Sequence, residues 1–503
     1  MSGDTTTTVV SYADDIETRD SEHDVEDARK QDRKLRFKLD LFFMTYVVLS
    51  YTLKFLDQSN YTYAYVSGMQ EDLGLYGNEL TWMGTIFSIG YIIGTVPTQL
   101  LITAIRPSYL LPTVEIIWGI FVLCMAAAKS VNTIYAMRFL IGLFEASSYP
   151  GLIAVMASWY TPRELGKRVA ILQSASALGA MWAGYLQAAV FAGLDGSHGL
   201  PGWKWGFIVN GCITIPVGLL GYFLIPDSPS NTRARYLTPT DISFASSRMA
   251  KVGRAAPKGL TRATIWKVLT SWPLWAFILP YGFWVINGQA ISFFSLWLKS
   301  TGRYSTVKVN LIPTGGYALE IFTAIFWAAI SDATNTRWPV IVFSGLFGLF
   351  GAIVLTVWDV SFNLHFAGHI LIFATIGGSA LILTWVSEIA GGNAEARILI
   401  VALLNTFAYV LNAALPFAMF PSKQAPHYKY GYQISIAFWV VAILIIIPVG
   451  ILSRGWASPF DVQEEVAESG RGSASQSIKE DEEGDLEEKD GGAGESVAAQ
   501  KAI

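Results

Sequence analysis

Arg138 and Glu145 lie seven residues apart in one apolar run of this 503-residue chain. On an α-helix that spacing is two turns, so the two side chains share a face. Along the axis they are ~10 Å apart, too far for a direct bond. Each must therefore find another partner. A guanidinium in an apolar setting can anchor a carboxylate, and a carboxyl group there favours its neutral form and can carry a proton. The competing interpretation is two separate inter-helix ion pairs that only hold a bundle together.

Ionisable groups inside apolar runs cost about 2.5–3.5 kcal/mol each on insertion scales, so they usually face a wet cavity or a partner. Lys54, Asp57, Glu115 and Glu320 are further cases. Lys54 and Asp57 are three apart and can touch. With Gln58 and Asn60 they make either a polar cavity wall, in which Lys54 offers positive charge to an anion, or a self-satisfied pair. Glu115 is expected to be structural, paired to a basic residue. Asp57 and Glu320 are additional candidates for a proton site. Trp284, Asn287 and Gln289 in one later run are candidate cavity walls. So are Asn405, Tyr409 and Asn412, whose i, i+4, i+7 spacing is one helix face, although hydrogen bonds between packed helices explain such a stripe equally well. Clustered histidines, metal-ligand spacings, phosphate-binding glycine loops and nucleophile motifs are absent from the sequence. Neither an enzyme nor a cofactor or metal is expected.

The elements that must position these groups are membrane helices. Hydrophobic residues make up 52% of the chain and charged ones 15%, against nearer a quarter charged in a soluble domain. Apolar runs long enough to cross ~30 Å of hydrocarbon fall at 41–66, 79–101, 108–128, 132–158, 168–194, 204–225, 272–298, 310–331, 338–358, 364–390, 397–420 and 431–453. Backbone polar groups in lipid must pair within their own segment, so helices are expected. The reading is an all-α membrane protein of twelve transmembrane helices. A tail (1–40) precedes one six-helix half (41–225), and a linker (226–271) leads to a second half (272–453). An acidic tail (454–503) follows, and both tails are expected to be disordered. The linker and the segment before the first span are rich in Lys and Arg, which marks the cytoplasmic side. With both termini inside, inner segments hold roughly 21 basic residues against roughly 7 outside. Lys299, Arg303 and Lys308 are exceptions to this pattern. Cys124 and Cys212 sit in apolar runs and read as packed or lipid-facing thiols. His198, His365, His369 and His427 read as surface or interfacial. Basic segments beside spans are topology determinants rather than a nucleic-acid surface.

The run Arg138-Phe-Leu-Ile-Gly142-Leu-Phe-Glu145-Ala-Ser-Ser-Tyr-Pro150-Gly151 resembles the fourth-span signature of the anion:cation symporter family of the major facilitator superfamily. Trp159-Tyr160-Thr-Pro-Arg163-Glu164-Leu-Gly166-Lys167-Arg168 is similar to that family's continuation, as is Pro226-Asp227-Ser228-Pro229. Lys54-Phe-Leu-Asp57-Gln58-Ser59-Asn60 resembles the fungal branch of allantoate and pantothenate permeases. The resemblance spans roughly residues 38–455. It implies two parallel six-helix halves around a central cavity and proton-coupled uptake of a small organic anion across the plasma membrane. In relatives the Arg of the fourth-span motif contacts the substrate carboxylate and the Glu takes part in proton coupling, which would transfer to Arg138 and Glu145. Many relatives carry a base where this chain has Gln58, and Lys54 is then the available cation. The superfamily's inner-gate loops are degenerate here, which leaves the latch to Asp332 and Arg163.

The expected function is therefore a proton-coupled importer of a carboxylate vitamin, pantothenate first among them. Its partners would be the anion, protons and lipid, with no nucleic acid, and it would act as a monomer. The alternatives are an exporter of a fungal metabolite, a transport-dead nutrient sensor and an integral-membrane enzyme.

Overall fold

A computed structural model describes residues 26–251, 262–390, 394–428, 430–453 and 460. Helices occupy all twelve expected spans. In order they are Glu26–Asp72, Glu79–Ala104, Pro107–Met125, Val131–Trp159, Pro162–Leu194, Gly202–Leu224, Trp272–Ser300, Thr306–Ala333, Trp338–Val357, Phe362–Ile389, Ala394–Ala414 and Gly431–Leu452. Among the described residues, eleven helices are long and apolar enough to cross a membrane. The second span, Glu79–Ala104, is a further helix of 26 residues.

The pairing of helices repeats. In the first half the third span packs on the sixth, the second on the fourth and the first on the fifth. In the second half the ninth packs on the twelfth, the eighth on the tenth and the seventh on the eleventh. The halves meet where the fifth span packs on the eighth and the second on the eleventh. This duplication about a central seam is the arrangement in which midplane sites form between repeats.

Close helix approach depends on glycine. A Cβ on Gly142 would lie 2.2 Å from the Phe87 carbonyl oxygen, and one on Gly94 would lie 2.2 Å from that of Leu143. These backbone contacts draw the fourth span against the second, as small residues do between membrane helices. Gly142→Val is expected to prevent assembly. The check is the yield of monodisperse protein in detergent, which should fall at least about tenfold, in line with severe overpacking. Near its C-terminal end the first span kinks at Gly68, whose φ of +110° suits glycine.

The segment before the first span is not wholly a free tail. The described helix already includes Glu26, well ahead of the expected start at 41. It docks on a linker helix, Pro239–Lys251. Asp32 pairs with Arg248 at 2.6 Å and Lys38 with Asp241 at 2.5 Å. Arg248 also reaches Glu164 at 3.3 Å and the Trp159 carbonyl at 2.5 Å. Burial raises the Asp241 carboxyl, but the Lys38 ammonium and Thr238 donors more than offset this and leave it below the usual carboxylate range. A second linker helix spans Arg262–Thr270. Residues 1–25, and the acidic tail apart from Phe460, lie outside the described residues.

Among the described residues, hydrogen bonds and an ion pair join the halves at the end away from the termini. Lys299 pairs with Glu71 at 2.6 Å. Thr81 donates to the Phe420 carbonyl at 3.0 Å, Ser422 to the Gly77 carbonyl at 3.2 Å, and Asn310 to Ser67 at 2.8 Å. Trp82 packs on Phe417. The Lys299 pair gives one of the exceptional basic residues a role in this seal, and Arg303 lies 4.3 Å over the Phe362 ring.

Candidate functional site

Lys54, on the first span, is 1% exposed, and Glu145, on the fourth, is 0% exposed. They face each other, with Nζ 3.9 Å from Oε1. Gln58, one turn beyond Lys54, donates to the same Glu145 oxygen. The other carboxylate oxygen, Oε2, has no hydrogen-bond partner. Lys54 also lies 3.3 Å from the Tyr91 hydroxyl and 4.9 Å from the centre of that ring. The first and fourth spans thus place one cation, one acid and one amide together away from water.

Lys54 and Asp57 do not form the pair that their spacing allows. Asp57 turns to the sixth span, where the Asn210 amide donates to it, and its second oxygen is left without a partner. Asn60 is fully buried with neither amide atom hydrogen-bonded.

Arg138 is buried as expected but makes no ion pair among the described residues. Its guanidinium lies between the rings of Tyr61 and Phe87, at 4.2 and 4.5 Å, and Nε donates to the Met83 carbonyl. A planar guanidinium suits such stacking. Glu115 finds no basic partner either. Tyr46 and Ser50 both donate to its Oε2, and Oε1 has no hydrogen-bond partner.

Across the seam, Tyr409 on the eleventh span stacks on Tyr91 with ring centres 4.3 Å apart and planes at 16°. Asn405, one turn away, accepts from the Tyr281 hydroxyl at 2.6 Å. Tyr149 lies 5.9 Å from Tyr51. Tyr51 itself donates to Gln173 at 3.3 Å. Tyr51 and Tyr91, with Tyr409 of the other half stacked on Tyr91, therefore stand beside the Lys54–Glu145 pair. Of these, sequence reasoning picks out only Tyr409. The rest sit in apolar runs where tyrosine passes for an interfacial belt residue. The available signal was their position deep inside the runs.

Other predicted residues sit elsewhere. The Trp284 indole donates to the Thr375 carbonyl at 2.8 Å and packs on Trp439, inside the second half. Asn287 is buried beside Ser435. Gln289 is half-buried in the seventh span. Asn412 is half-buried with an unpartnered carbonyl oxygen. Glu320 is buried in the eighth span with Oε2 unpartnered. Asp332 pairs with Arg337 at 2.5 Å, and Arg337 reaches Glu388 at 2.7 Å, so this cluster stays within the second half. Glu388 and Asp332 together raise the Arg337 guanidinium further above its ordinary value. The side chain of Arg163 lies outside the described residues.

The family model described as Major Facilitator Superfamily matches residues 47–410. The chain belongs to the major facilitator superfamily. Its curated relatives are transporters rather than enzymes. It is 36% identical over 82% of its length, and 79% of the relative's, to the MFS transporter PfmaC of Pestalotiopsis fici. It is 32% identical to the pantothenate transporter liz1 of Schizosaccharomyces pombe, covering 80% of this chain and 79% of that one. It is also 32% identical to the pantothenate transporter FEN2 of Saccharomyces cerevisiae, covering 79% and 80%. A solved major facilitator, the proton:xylose symporter XylE, shares the fold with a TM-score of 0.62. Its identity to the chain is 15%, and the match covers 82% of this chain and 95% of that one. This major facilitator protein is thus a multi-pass membrane transporter.

Proposed function

We propose that this transporter imports a small organic anion together with protons, with pantothenate as the leading cargo. The observation that carries the proposal is the buried Lys54–Glu145 pair, because it makes anion and proton binding interdependent. While Glu145 is ionised it neutralises Lys54, so an incoming carboxylate must compete with it. Once Glu145 is protonated, Lys54 is free to hold the anion, and the Gln58 and Tyr91 groups already beside it supply further hydrogen bonds. Tyr281, Asn405 and Tyr409 face the uncharged part of the cargo from the other half. Arg138, held between two rings, contributes fixed positive potential rather than first contact. Asp57 and Glu320 are the further proton sites, and Asn60, Trp284, Asn287 and Gln289 support the walls. Names of relatives support the cargo class: two are pantothenate transporters, and the Vitamin H transporter of Saccharomyces cerevisiae is 28% identical.

Energetics favour this coupling. A monoanion entering a negative-inside cell is opposed by ~2.3 kcal/mol per 100 mV. One accompanying proton cancels the charge and leaves the pH gradient, ~1.4 kcal/mol per unit, to drive accumulation. The topology proposed with this function puts both termini in the cytoplasm, the sealed end outside and the monomeric protein in the plasma membrane.

The test is uptake of labelled pantothenate by pantothenate-transporter-deficient yeast expressing the chain, at external pH near 4.5 and 7. Uptake is expected at both values, roughly tenfold faster in acid, as expected of a proton-limited step. Surface-expressed protein that rescues no uptake sinks the cargo assignment. Uptake that ignores both pH and a protonophore sinks the coupling.

A further inference from the structure

His365 and His369 are one turn apart on the tenth span, and both are buried, at 4% and 2% exposure. Their sequence positions near loop ends suggest surface residues, and the fold places them instead in an aromatic box at the sealed end. Phe294 stacks on His369 at 4.8 Å, and Trp297 stacks on His365 at 4.7 Å. The two imidazoles are 5.5 Å apart. Neither nitrogen of His369 has a hydrogen-bond partner, nor does Nε2 of His365. A buried polar group in that state is costly and calls for an explanation.

The box shares its walls with the seal. Phe294 and Trp297 belong to the outer end of the seventh span, whose Lys299 ties to Glu71 on the other half. Phe293 stacks on Phe420, the residue whose carbonyl accepts from Thr81. Tyr432, from the twelfth span, lies 6.4 Å from His369. His427 lies beyond Trp358, whose ring is 4.6 Å from His365 and 4.5 Å from His427. Arg303 sits over Phe362, a ring that stacks on Trp297, and Asp359 is exposed next to Trp358 in the chain. Among the described residues no carboxylate pairs with either imidazole.

We propose that His365 and His369 form a second proton-binding site, within the outer seal, whose occupation opens that seal. As neutral rings they stack into the box. A protonated imidazole carries two N–H donors that find no acceptor there, and two cations 5.5 Å apart repel. Water must enter to solvate them, which parts Phe294 and Trp297 from the tenth span and loosens the Lys299 and Phe293 ties. Acid outside thereby favours the state that admits cargo from outside. The site works independently of the proton carried on Glu145, and takes from the proposed function only that the sealed end faces out.

The experiment uses intact yeast expressing the full chain, without substrate. The lipid-facing thiols are removed as C124A and C212A, and Ser422→Cys, buried in the seal, reports opening to an impermeant thiol reagent. Labelling is expressed relative to the same protein carrying H365F/H369F at each pH, which cancels thiol ionisation. The ratio is expected to be near one at pH ~7.5 and to rise about fivefold by pH ~5, where histidines charge. A flat ratio overturns the proposal. If the double variant does not reach the surface, H369Q replaces it as the reference and should give most of the same rise. A flat ratio against it is equally fatal. Unnormalised labelling that rises in acid in H365F/H369F as in the parent, but not in E145Q, places the sensor at Glu145 and overturns the assignment while sparing the coupling mechanism. Labelling confined to permeabilised cells overturns the topology and with it the placement of the site.

Discussion

Glu145→Gln is expected to abolish pH-driven accumulation while leaving exchange of cargo across the membrane. Gln is the nearest uncharged isostere of Glu and stands for its permanently protonated form. The site explains why the effect should be large and selective. Glu145 is fully buried, 3.9 Å from the Lys54 ammonium, and accepts from Gln58, with one oxygen left unpartnered. With Gln in place, Lys54 has no competing carboxylate and holds the anion at every pH. Counterflow therefore persists and net concentrative uptake falls by about a hundredfold, the scale of removing an acid–base group. The measurement is initial uptake and steady-state accumulation across external pH 4–8, with counterflow in parallel. Normal accumulation by E145Q cells across that range would remove Glu145 from the coupling scheme.

Lys54→Met should do more damage, in two separable ways. The cargo loses the cation that stands between Tyr51 and Tyr91, and Glu145 is left buried without its opposite charge. Breaking a buried pair from one side costs about 3–5 kcal/mol, because the remaining charge has no compensation. Low yield and reduced thermal stability in detergent are expected for K54M alone. Adding E145Q removes the stranded charge, so the double variant K54M/E145Q should recover most of the stability but none of the uptake. This non-additivity separates structure from transport. Equal stability of K54M and K54M/E145Q would show that the two side chains do not depend on each other. Uptake retained by the double variant would show that the anion is held elsewhere.

Much of this design was legible from residue order. Apolar runs of about 20 residues located the twelve spans because the lipid-crossing distance and helix rise are fixed. The fourth-span motif pointed to Glu145, and the charged residues of the first span pointed to Lys54. Partner choice was not legible. Arg138 and Glu145 share a helix face, yet Arg138 stacks between Tyr61 and Phe87 while Glu145 meets Lys54 from another helix. Lys54 and Asp57 are within reach of each other, yet Asp57 turns to Asn210. Glu115, an acid in an apolar run, calls for a basic partner, yet two hydroxyls meet it instead.

Residue order by itself determined a bundle of membrane helices, its duplication around a basic linker and the identity of the few charges that had to be sheltered, since the cost of an ion in hydrocarbon is a property of that residue and its immediate run. The tertiary structure alone decided which of those charges face each other, that Tyr51, Tyr91 and Tyr409 from three spans gather beside Lys54, and that two histidines near a loop are sealed among aromatic rings. Helical periodicity fixes the face on which a side chain stands. What stands opposite depends on the rotation and pairing of helices far apart in the chain, and here close glycine contacts such as Gly94 and Gly142 help to set it.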